Sequence, residues 1–576
     1  MKTTLSSHIQ VQQVQPRPTV EIHLPDGRVF SGPRGATAEQ FLMALPEWHK
    51  TPIIAVVVNS ELHELTHPIL VDAYVKPITL ADTDGARIYR RSLTFLLEAA
   101  FEQLFPELSL SVTHTVASGG FFCEVEGKQS LTHQEIKLLE KKMGELVSAN
   151  LPFHREEVPL DQAIAYFEAK GAYDKVRLLK YRQKKHLVLY SLGDHRDYHH
   201  GYMVPSSGYL RWFDLTKMGD GFVLRFPRRH LPPSEFMPVP ESPKLLETFQ
   251  QYRSWLNSLG ISSIGALNDA ITDQRIREVV LMSEALHEQK IAEIASRIAS
   301  SRAQTRIILI AGPSSSGKTT FSKRLAIQLL ARGISPFALE MDNYFVDRVK
   351  TPRDANGEYD YEALEALDTN LLSLHLKRLI AGEEVQLRRY DFKTGSGVEG
   401  DTVRLSKDQL IILEGIHGLN PRLLPDIPSE RTFRIYVSCL TQLNLDRHNK
   451  VSTTDARLVR RIVRDARERG YSAQETLNRW ESVRRGEKLH IFPYQDFADE
   501  MFNSALVYEM CCLKPLVEPL LRQVPYGTAE YIEAKRLLAF LEWFLPFGDE
   551  IIPDNSILRE FIGGSILAGF KIWKNV

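Results

Sequence analysis

The sequence predicts a multi-domain α/β protein. Its C-terminal half reads as a doubly wound parallel sheet, preceded by a small β-rich domain and an α+β domain. Three observations carry this reading. In "RIILIAGPSSSGKTTFSKRLAIQLLARG", an apolar, β-branched run ends at Gly312. Phe321, Leu325, Ile327, Leu329 and Leu330 then give a broad apolar helical face before Gly333, so the stretch is strand, loop and helix. Two further short apolar runs, "SPFALEMD" and "QLIILEG", end in carboxylates, as strands do where a parallel sheet presents its ligand-binding edge. Near the front, "VEIHLPDGRVF" and "TPIIAVVVNSELHEL" read as strands joined by turns. At 576 residues the chain is too long for one core, and two to four domains are expected.

Residues 1–18 form a tail without the apolar core of a signal peptide. From 19 to 82, Val20, Ile22 and Leu24 alternate, "PDG" turns, Val29 and Phe30 return, and a helix starts near Thr37. From 83 to 236, "DGARIYRRSLTFLLEAAFEQLFP" is an amphipathic helix, "VTHTVASGGFFCEVEG" is strand and turn, and "GDHRDYHHG" reads as a loop. Residues 237–302 form a helical connector, 303–526 the sheet domain, and 527–576 a C-terminal helical extension. The most apolar late stretch, "LLAFLEWFLPF", is short and broken by Glu542 and Pro546, so no membrane span is expected.

Net charge is −1, and charged residues make up 25% of the chain, which removes any global drive toward nucleic acid or membrane. Cys123, Cys439, Cys511 and Cys512 form no C-x-x-C pair, and the chain is expected to be reduced and cytoplasmic.

Gly312, Pro313, Ser314, Ser315, Ser316, Gly317, Lys318 and Thr319 spell G-x-x-x-x-G-K-[ST] between a strand and a helix. In that context backbone N–H groups face an anion, Lys318 reaches the β- and γ-phosphates, and the Thr319 hydroxyl ligates Mg²⁺. With Thr320 these residues are the expected ATP site. Downstream, Asp342 follows the strand expected from Ser335 to Glu340. It is placed to take a proton from an acceptor hydroxyl or to hold Mg²⁺, unless it merely caps a helix. Glu414 projects from the strand Leu410–Leu413 as a Mg²⁺ carboxylate. Tyr390 and Phe392 in "YDFKTGSG" either flank a flat ring or fill a core. Arg457, Arg460, Arg461 and Arg464 recur at helical spacing, where a guanidinium cluster suits a lid that meets phosphate charge and where half are expected to pair with acids. A guanine-reading N-K-x-D is missing, since "HNKVS" lacks the aspartate.

"MDNYF", "YDYEALEALD", "YDF", "LEGI" and "DARLVRRIVRDARERG" occur in the order that resembles the uridine kinase and phosphoribulokinase family. The resemblance covers roughly residues 307 to 524. It implies that Lys318 and Thr319 hold phosphates and Mg²⁺, that Asp342 is the catalytic base and that Glu414 serves Mg²⁺. It implies further that Asp360 binds ribose hydroxyls, Tyr390 and Phe392 lie near the base, Arg457 reaches the acceptor, and Arg461 and Arg464 clamp phosphates. The implied reaction moves the ATP γ-phosphoryl group to the 5′-hydroxyl of a ribonucleoside. One departure stands out: Gly395 occupies the place where uridine kinases carry a pyrimidine-reading histidine, which is expected to leave that place open.

The front of the chain resembles the TGS domain of threonyl-tRNA synthetases, and the next region resembles their editing domain. In that family a helical H-x-x-x-H pair binds metal; here the two places hold Arg91 and Phe95, and the later C-x-x-x-H pattern is missing. Neither residue can ligate a metal, so no editing chemistry and no zinc are expected, and His195, His199 and His200 are read as solvated or substrate-facing. A second function class stays open: an RNA- or ribosome-associated regulator that uses ATP as a switch, with the TGS-like region as its support by analogy. The acceptor, the RNA partner and any homo-oligomer are left undecided by the sequence.

Overall fold

The computed structural model of the chain describes residues 13, 15–46, 52–116, 119–229, 231–237, 243–353, 357, 359–391, 394–406, 408–441 and 443–570. The front sheet has five strands. Val29–Pro33 lies at one edge, followed by Thr19–His23, Ala73–Thr79, Ile53–Val58 and Glu61–Glu64. Thr19–His23 runs parallel to Ala73–Thr79 and antiparallel to Val29–Pro33, so the expected hairpin is present. The short helix Ala38–Leu42 starts at Thr37 with a capping box to Gln40 and lays Phe41 and Leu42 on Val20, Ile22, Ile53 and Val75.

The helix Thr83–Leu104 is the spine of the next region. Leu93, Phe95, Leu96, Leu97 and Ala100 are buried in a core shared with two antiparallel sheets. One sheet has four strands, ordered Asp214–Met218, Gly221–Arg225, Gly120–Glu126 and Ser109–Val116; the other joins His195–Asp197, His186–Leu192 and His154–Pro159. The stretch read as a loop at "GDHRDYHHG" is therefore partly strand, because His195–Asp197 pairs with Tyr190–Leu192 across the turn at Gly193.

The C-terminal sheet is all parallel, ordered Pro336–Glu340, Leu410–Glu414, Ile307–Ala311, Thr432–Ser438 and Glu500–Asn503. Ile307–Ala311 sits at its centre and is buried along its whole length, which is why it reads as an unbroken apolar run. The helix Ile276–Ser300 of the connector packs Ile291, Ile294, Ala295 and Ile298 into the core that holds Phe321 and Leu325 of the helix Lys318–Leu330. Among the described residues no helix is long and apolar enough to cross a membrane. All four cysteines are buried and free.

The C-terminal extension is wedged between the other parts. Arg536 binds Asp455 on the helix Thr453–Arg464 at 2.8 Å and also binds Glu533. Glu533 in turn accepts from Arg87 of the front helix at 2.6 Å. Trp543 Nε1 donates to His200 Nδ1 at 3.2 Å.

Candidate active site

The site sits at the carboxyl edge of the parallel sheet. Ile307–Ala311 runs into Gly312, where a Cβ would lie 1.9 Å from the Val437 carbonyl, so only glycine lets the two backbones approach. Ser315 and Gly317 both take positive φ, 58° and 82°. This curls the backbone so that its N–H groups converge at the start of the helix Lys318–Leu330. Two carboxylates already use those donors. Ser314 N–H donates to Glu487 Oε1 at 3.1 Å, and Thr320 donates to Glu560 Oε2 from its N–H at 3.2 Å and its hydroxyl at 2.9 Å.

Lys318 donates to the Pro313 carbonyl at 3.1 Å. Burial pushes its ammonium below the usual value, against the pull of Glu414, Glu560 and Asp342. The Thr319 hydroxyl donates to Glu414 Oε1 at 2.9 Å. Burial and the neighbouring Glu560 push the Glu414 carboxyl up to about 7, although Lys318 opposes this. Asp342 lies in the 3₁₀ turn Met341–Tyr344 that follows Pro336–Glu340. It is walled by protein yet open to solvent. Desolvation raises its pKa and Lys318 lowers it; water at the open side limits the size of that shift. Three strand ends thus gather one ammonium, two carboxylates and a hydroxyl. The oxygen pair Thr319 and Glu414 suits Mg²⁺, a hard cation that takes oxygen ligands, and a cation there would relieve the strained ionisation of Glu414.

The arginines divide. Arg461 Nη1 donates to Ser314 Oγ at 2.8 Å, so this guanidinium meets the phosphate loop, while its Nε lies 3.2 Å from Asp465. Arg464 is held by Asp465 at 2.8 Å. Arg460 is fully buried, pairs with Glu509 and donates to the Ser504 carbonyl at 2.8 Å. Arg457, expected at the acceptor, is placed elsewhere. It is 1% exposed, donates to the Ser314 carbonyl at 2.9 Å and pairs with Glu487, so it braces the phosphate loop from beneath. Burial pushes Glu487 up, but Arg457 and Arg484 outweigh it and hold the carboxyl below its ordinary value.

Asp360, expected at the acceptor, accepts the Glu362 N–H at 3.0 Å. Glu362 is an acid that sequence reading missed: burial and Glu487 push it up to about 7, while Arg461 and Lys318 oppose, which puts it beside the site. Tyr390 is 5% exposed and packs 5.6 Å from the Phe345 ring. Phe392 lies outside the described residues. The space expected beside Gly395 is filled. Gly395 has φ 72°, a Cβ there would lie 2.7 Å from Arg348 Nε, and the Arg348 N–H donates to the Gly395 carbonyl at 2.8 Å.

In the front half, Arg91 donates to the Tyr202 carbonyl at 2.8 Å, and the Phe95 ring packs 4.8 Å from His195. The histidines are not solvated: His195 and His199 are 5% and 8% exposed, and His200 is driven down to about 3 by burial. A cavity of about 290 Å³ lies away from the phosphate loop, lined by Ser111, Glu124, Asp174, Arg253, Asp446 and Arg447. Glu487, Glu560 and Ile557 are packed on the phosphate loop itself.

Residues 307–508 match the model of the phosphoribulokinase / uridine kinase family. The N-terminal part matches threonine–tRNA ligases. The protein from Halorhodospira halophila is 32% identical over 202 residues, 35% of this chain and 31% of that protein; the one from Bacillus velezensis is 31% identical over 204 residues, 35% and 32% of the two. The chain spans about a third of the length of these curated relatives. A solved structure of a possible uridine kinase from Bacillus stearothermophilus is 23% identical and covers 37% of this chain and 98% of its own, with a TM-score of 0.24. The C-terminal half thus carries a parallel sheet and a segment similar to the phosphoribulokinase / uridine kinase family, behind a front half similar to part of threonine–tRNA ligases.

Proposed function

We propose that this chain is a Mg-ATP-dependent kinase that phosphorylates the 5′-hydroxyl of a ribonucleoside. The observation that carries the reading is the convergence of Lys318, Thr319, Glu414 and Asp342 at three strand ends, with Arg461 on the loop's other side. Bound ATP and Mg²⁺ would supply the phosphoryl donor and neutralise its charge. The chain's own groups do the rest. The loop N–H groups and Lys318 hold phosphate oxygens, Thr319 and Glu414 hold the cation, and Arg461, with Arg464 next to it on the lid helix, meets charge that spreads in the transition state. Asp342 takes the proton of the acceptor hydroxyl, and Asp360 holds the sugar. We further read residues 19–82, 83–236 and 303–526 as the three folded parts joined by the 237–302 connector, with the front half devoid of editing chemistry because Arg91 and Phe95 replace a metal-binding pair.

The test is a panel of ribo- and 2′-deoxyribonucleosides with purified full-length protein and Mg-ATP, followed by product chromatography. Phosphorylation of at least one ribonucleoside at the 5′ position, with a penalty for its deoxy analogue, is expected. ATP turnover that is indifferent to every acceptor would favour the regulatory switch.

A further inference from the structure

Where the front half meets the C-terminal half, positive side chains gather around a pair of phenylalanine rings. Phe121 lies on the strand Gly120–Glu126, and Phe226 follows the neighbouring strand Gly221–Arg225; their rings pack edge to face with centroids 4.8 Å apart. The Arg90 guanidinium, from the helix Thr83–Leu104, stands 4.6 Å from the Phe226 centroid. The Lys450 ammonium, from the loop before the helix Thr453–Arg464, stands 4.9 Å from the Phe121 centroid. The helix Ala473–His490 is tied to the same place through Arg229. Arg229 Nη1 donates to Glu481 of that helix at 2.9 Å, and its Nε donates at 2.8 Å to the Ala81 carbonyl just ahead of the front helix. Arg484 and Lys488 follow Glu481 on the same face of their helix.

Two features point to an anion among them. The first is missing partners. Among the described residues no carboxylate lies within ion-pair distance of Arg90, Lys450 or Lys488, and the buried Arg90 Nε has no hydrogen-bond partner. The nearby acids are engaged elsewhere: Glu481 by Arg229, Asp455 by Arg536 at 2.8 Å, and Glu487 by Arg457 and, at 3.0 Å, by Arg484. The second is repulsion. Burial, with the charges of Arg87, Arg229, Arg228 and Arg484, lowers the Arg90 guanidinium to about 10. Burial also drives the Lys450 ammonium down to about 8; Asp455 opposes this and Arg90 adds to it. Cations drawn together without a carboxylate among them are costly to desolvate, and a bound anion removes that cost. Lys488 is exposed, and Arg90 and Lys450 are half-buried, so the cluster is open to a ligand from solvent.

We propose that Arg90, Lys450, Arg484 and Lys488 bind a small phosphate-bearing anion at the junction of the two halves. The oxygens of a phosphate group accept from a flat guanidinium fork and from ammonium groups at once, which suits this donor set better than a single carboxylate. The phenylalanine pair forms an apolar floor, and charge pairing is stronger where water is kept from one side. The site is separate from the phosphate loop, and Glu487 stands between the two. Its Oε1 accepts the Ser314 N–H at 3.1 Å, and its Oε2 accepts from Arg484 Nη1 at 3.0 Å. Arg90 belongs to the front half, and Lys450, Arg484 and Lys488 belong to the C-terminal half, so neither half makes the site alone. The anion would therefore hold the halves together beside the phosphate loop.

The experiment titrates pyrophosphate, without Mg²⁺, into full-length protein carrying Lys318→Ala, which removes the phosphate loop's own cation. Calorimetric titration should find about one equivalent bound, and Tm should rise on addition, since a ligand of the folded state alone stabilises it. In that background Lys450→Ala and Lys488→Glu should each weaken binding by about tenfold or more, the size of one charged hydrogen bond. Lys488 is exposed, so its variant tests the site without disturbing a core. Arg90→Lys keeps the charge but loses the fork and should fall between wild type and Arg90→Ala. No pyrophosphate bound by the Lys318→Ala protein overturns the proposal. So does affinity that stays within about twofold in both folded Lys450→Ala and Lys488→Glu. A single-stranded oligonucleotide that binds here and that pyrophosphate does not displace would overturn the assignment to a small ligand.

Discussion

Removing Glu560 should tighten ATP binding. This carboxylate accepts two hydrogen bonds from Thr320, at 3.2 and 2.9 Å, where the phosphate loop enters its helix. It is held there by its own segment. The Glu560 carbonyl accepts from Arg467 at 3.0 Å, Phe561 lies under the Arg460 guanidinium at 4.9 Å, and Ile557 crowds Gly317. A nucleotide phosphate needs the same donors, so it must displace Glu560 first. A hydrogen bond to a charged group is worth about 1.5–3 kcal/mol net. One such interaction lost from the free state corresponds to about 10- to 150-fold tighter ATP binding. Glu560→Ala removes the competitor outright, and Glu560→Gln keeps an acceptor while removing the charge, so Gln should fall between wild type and Ala. Isothermal titration of Mg-ATP into each full-length protein reads the effect. If both variants bind ATP within about twofold of wild type, Glu560 does not compete with the nucleotide.

Lys318→Ala should cost on the order of a hundredfold or more in turnover, since it removes a charge-assisted contact to the transferred group; near-normal kcat in a folded variant would remove the phosphate loop from the reaction. Asp342→Asn should lower kcat by roughly 10²–10⁴-fold with the Kd for ATP unchanged; a parallel loss of ATP affinity would make Asp342 a metal ligand instead of a base. Glu414, raised from 4.5 to about 7, must lose its proton to hold Mg²⁺, so the Mg²⁺ requirement should ease as pH rises through about 7. The sign for stability is opposite: the folded state keeps this proton longer than the unfolded chain, so without Mg²⁺ the Glu414 contribution falls as pH rises from about 4.5 to about 7. A Tm–pH profile of Glu414→Gln should lack that decline, and Mg²⁺ should abolish it in wild type.

The phosphate loop, the strand ends and the arginine helix were legible because each is local: a loop between a strand and a helix, a carboxylate one residue past an apolar run, charges at helical spacing. What the sequence hid are partners supplied across long separations. Glu487 reaches Ser314 over 173 residues and Glu560 reaches Thr320 over 240, and no periodicity links them. Arg457 was misplaced for the same reason. Its spacing puts it on the arginine-bearing helix Thr453–Arg464, but the facing acid, Glu487 of the helix Ala473–His490, holds it beneath the phosphate loop. For His195 and His199 a short polar stretch that resembles a loop points to solvated or substrate-facing side chains; tertiary burial against Glu98 and Phe95 is not written in those nine residues.

Base selection is where structure changes the expectation most. A glycine in the reader's place suggested open space and weak discrimination, yet Gly395 is there because the turn needs φ 72°, and Arg348 lies against it. Arg348 thus lies at the Gly395 end of the paired strands Glu384–Asp391 and Ser396–Arg404, close enough to Tyr390 to act on its hydroxyl. A guanidinium only donates hydrogen bonds, so it favours bases that present carbonyl or ring-nitrogen acceptors and is indifferent to amino groups. If Arg348 reads the base, Arg348→Ala should raise the acceptor KM by about 10- to 100-fold, the size expected for one charged hydrogen bond, and should flatten the ranking among bases. The value of kcat should change little, because in the proposed reading Asp360 would hold the sugar and Asp342 the reacting hydroxyl. Arg348→Lys keeps the charge but loses the fork, so it should restore KM in part without restoring the ranking. Steady-state kinetics on the four common ribonucleosides decides the matter. An unchanged order of kcat/KM in Arg348→Ala would show that the base is read elsewhere, and a loss confined to kcat would show that Arg348 positions the hairpin instead of the substrate.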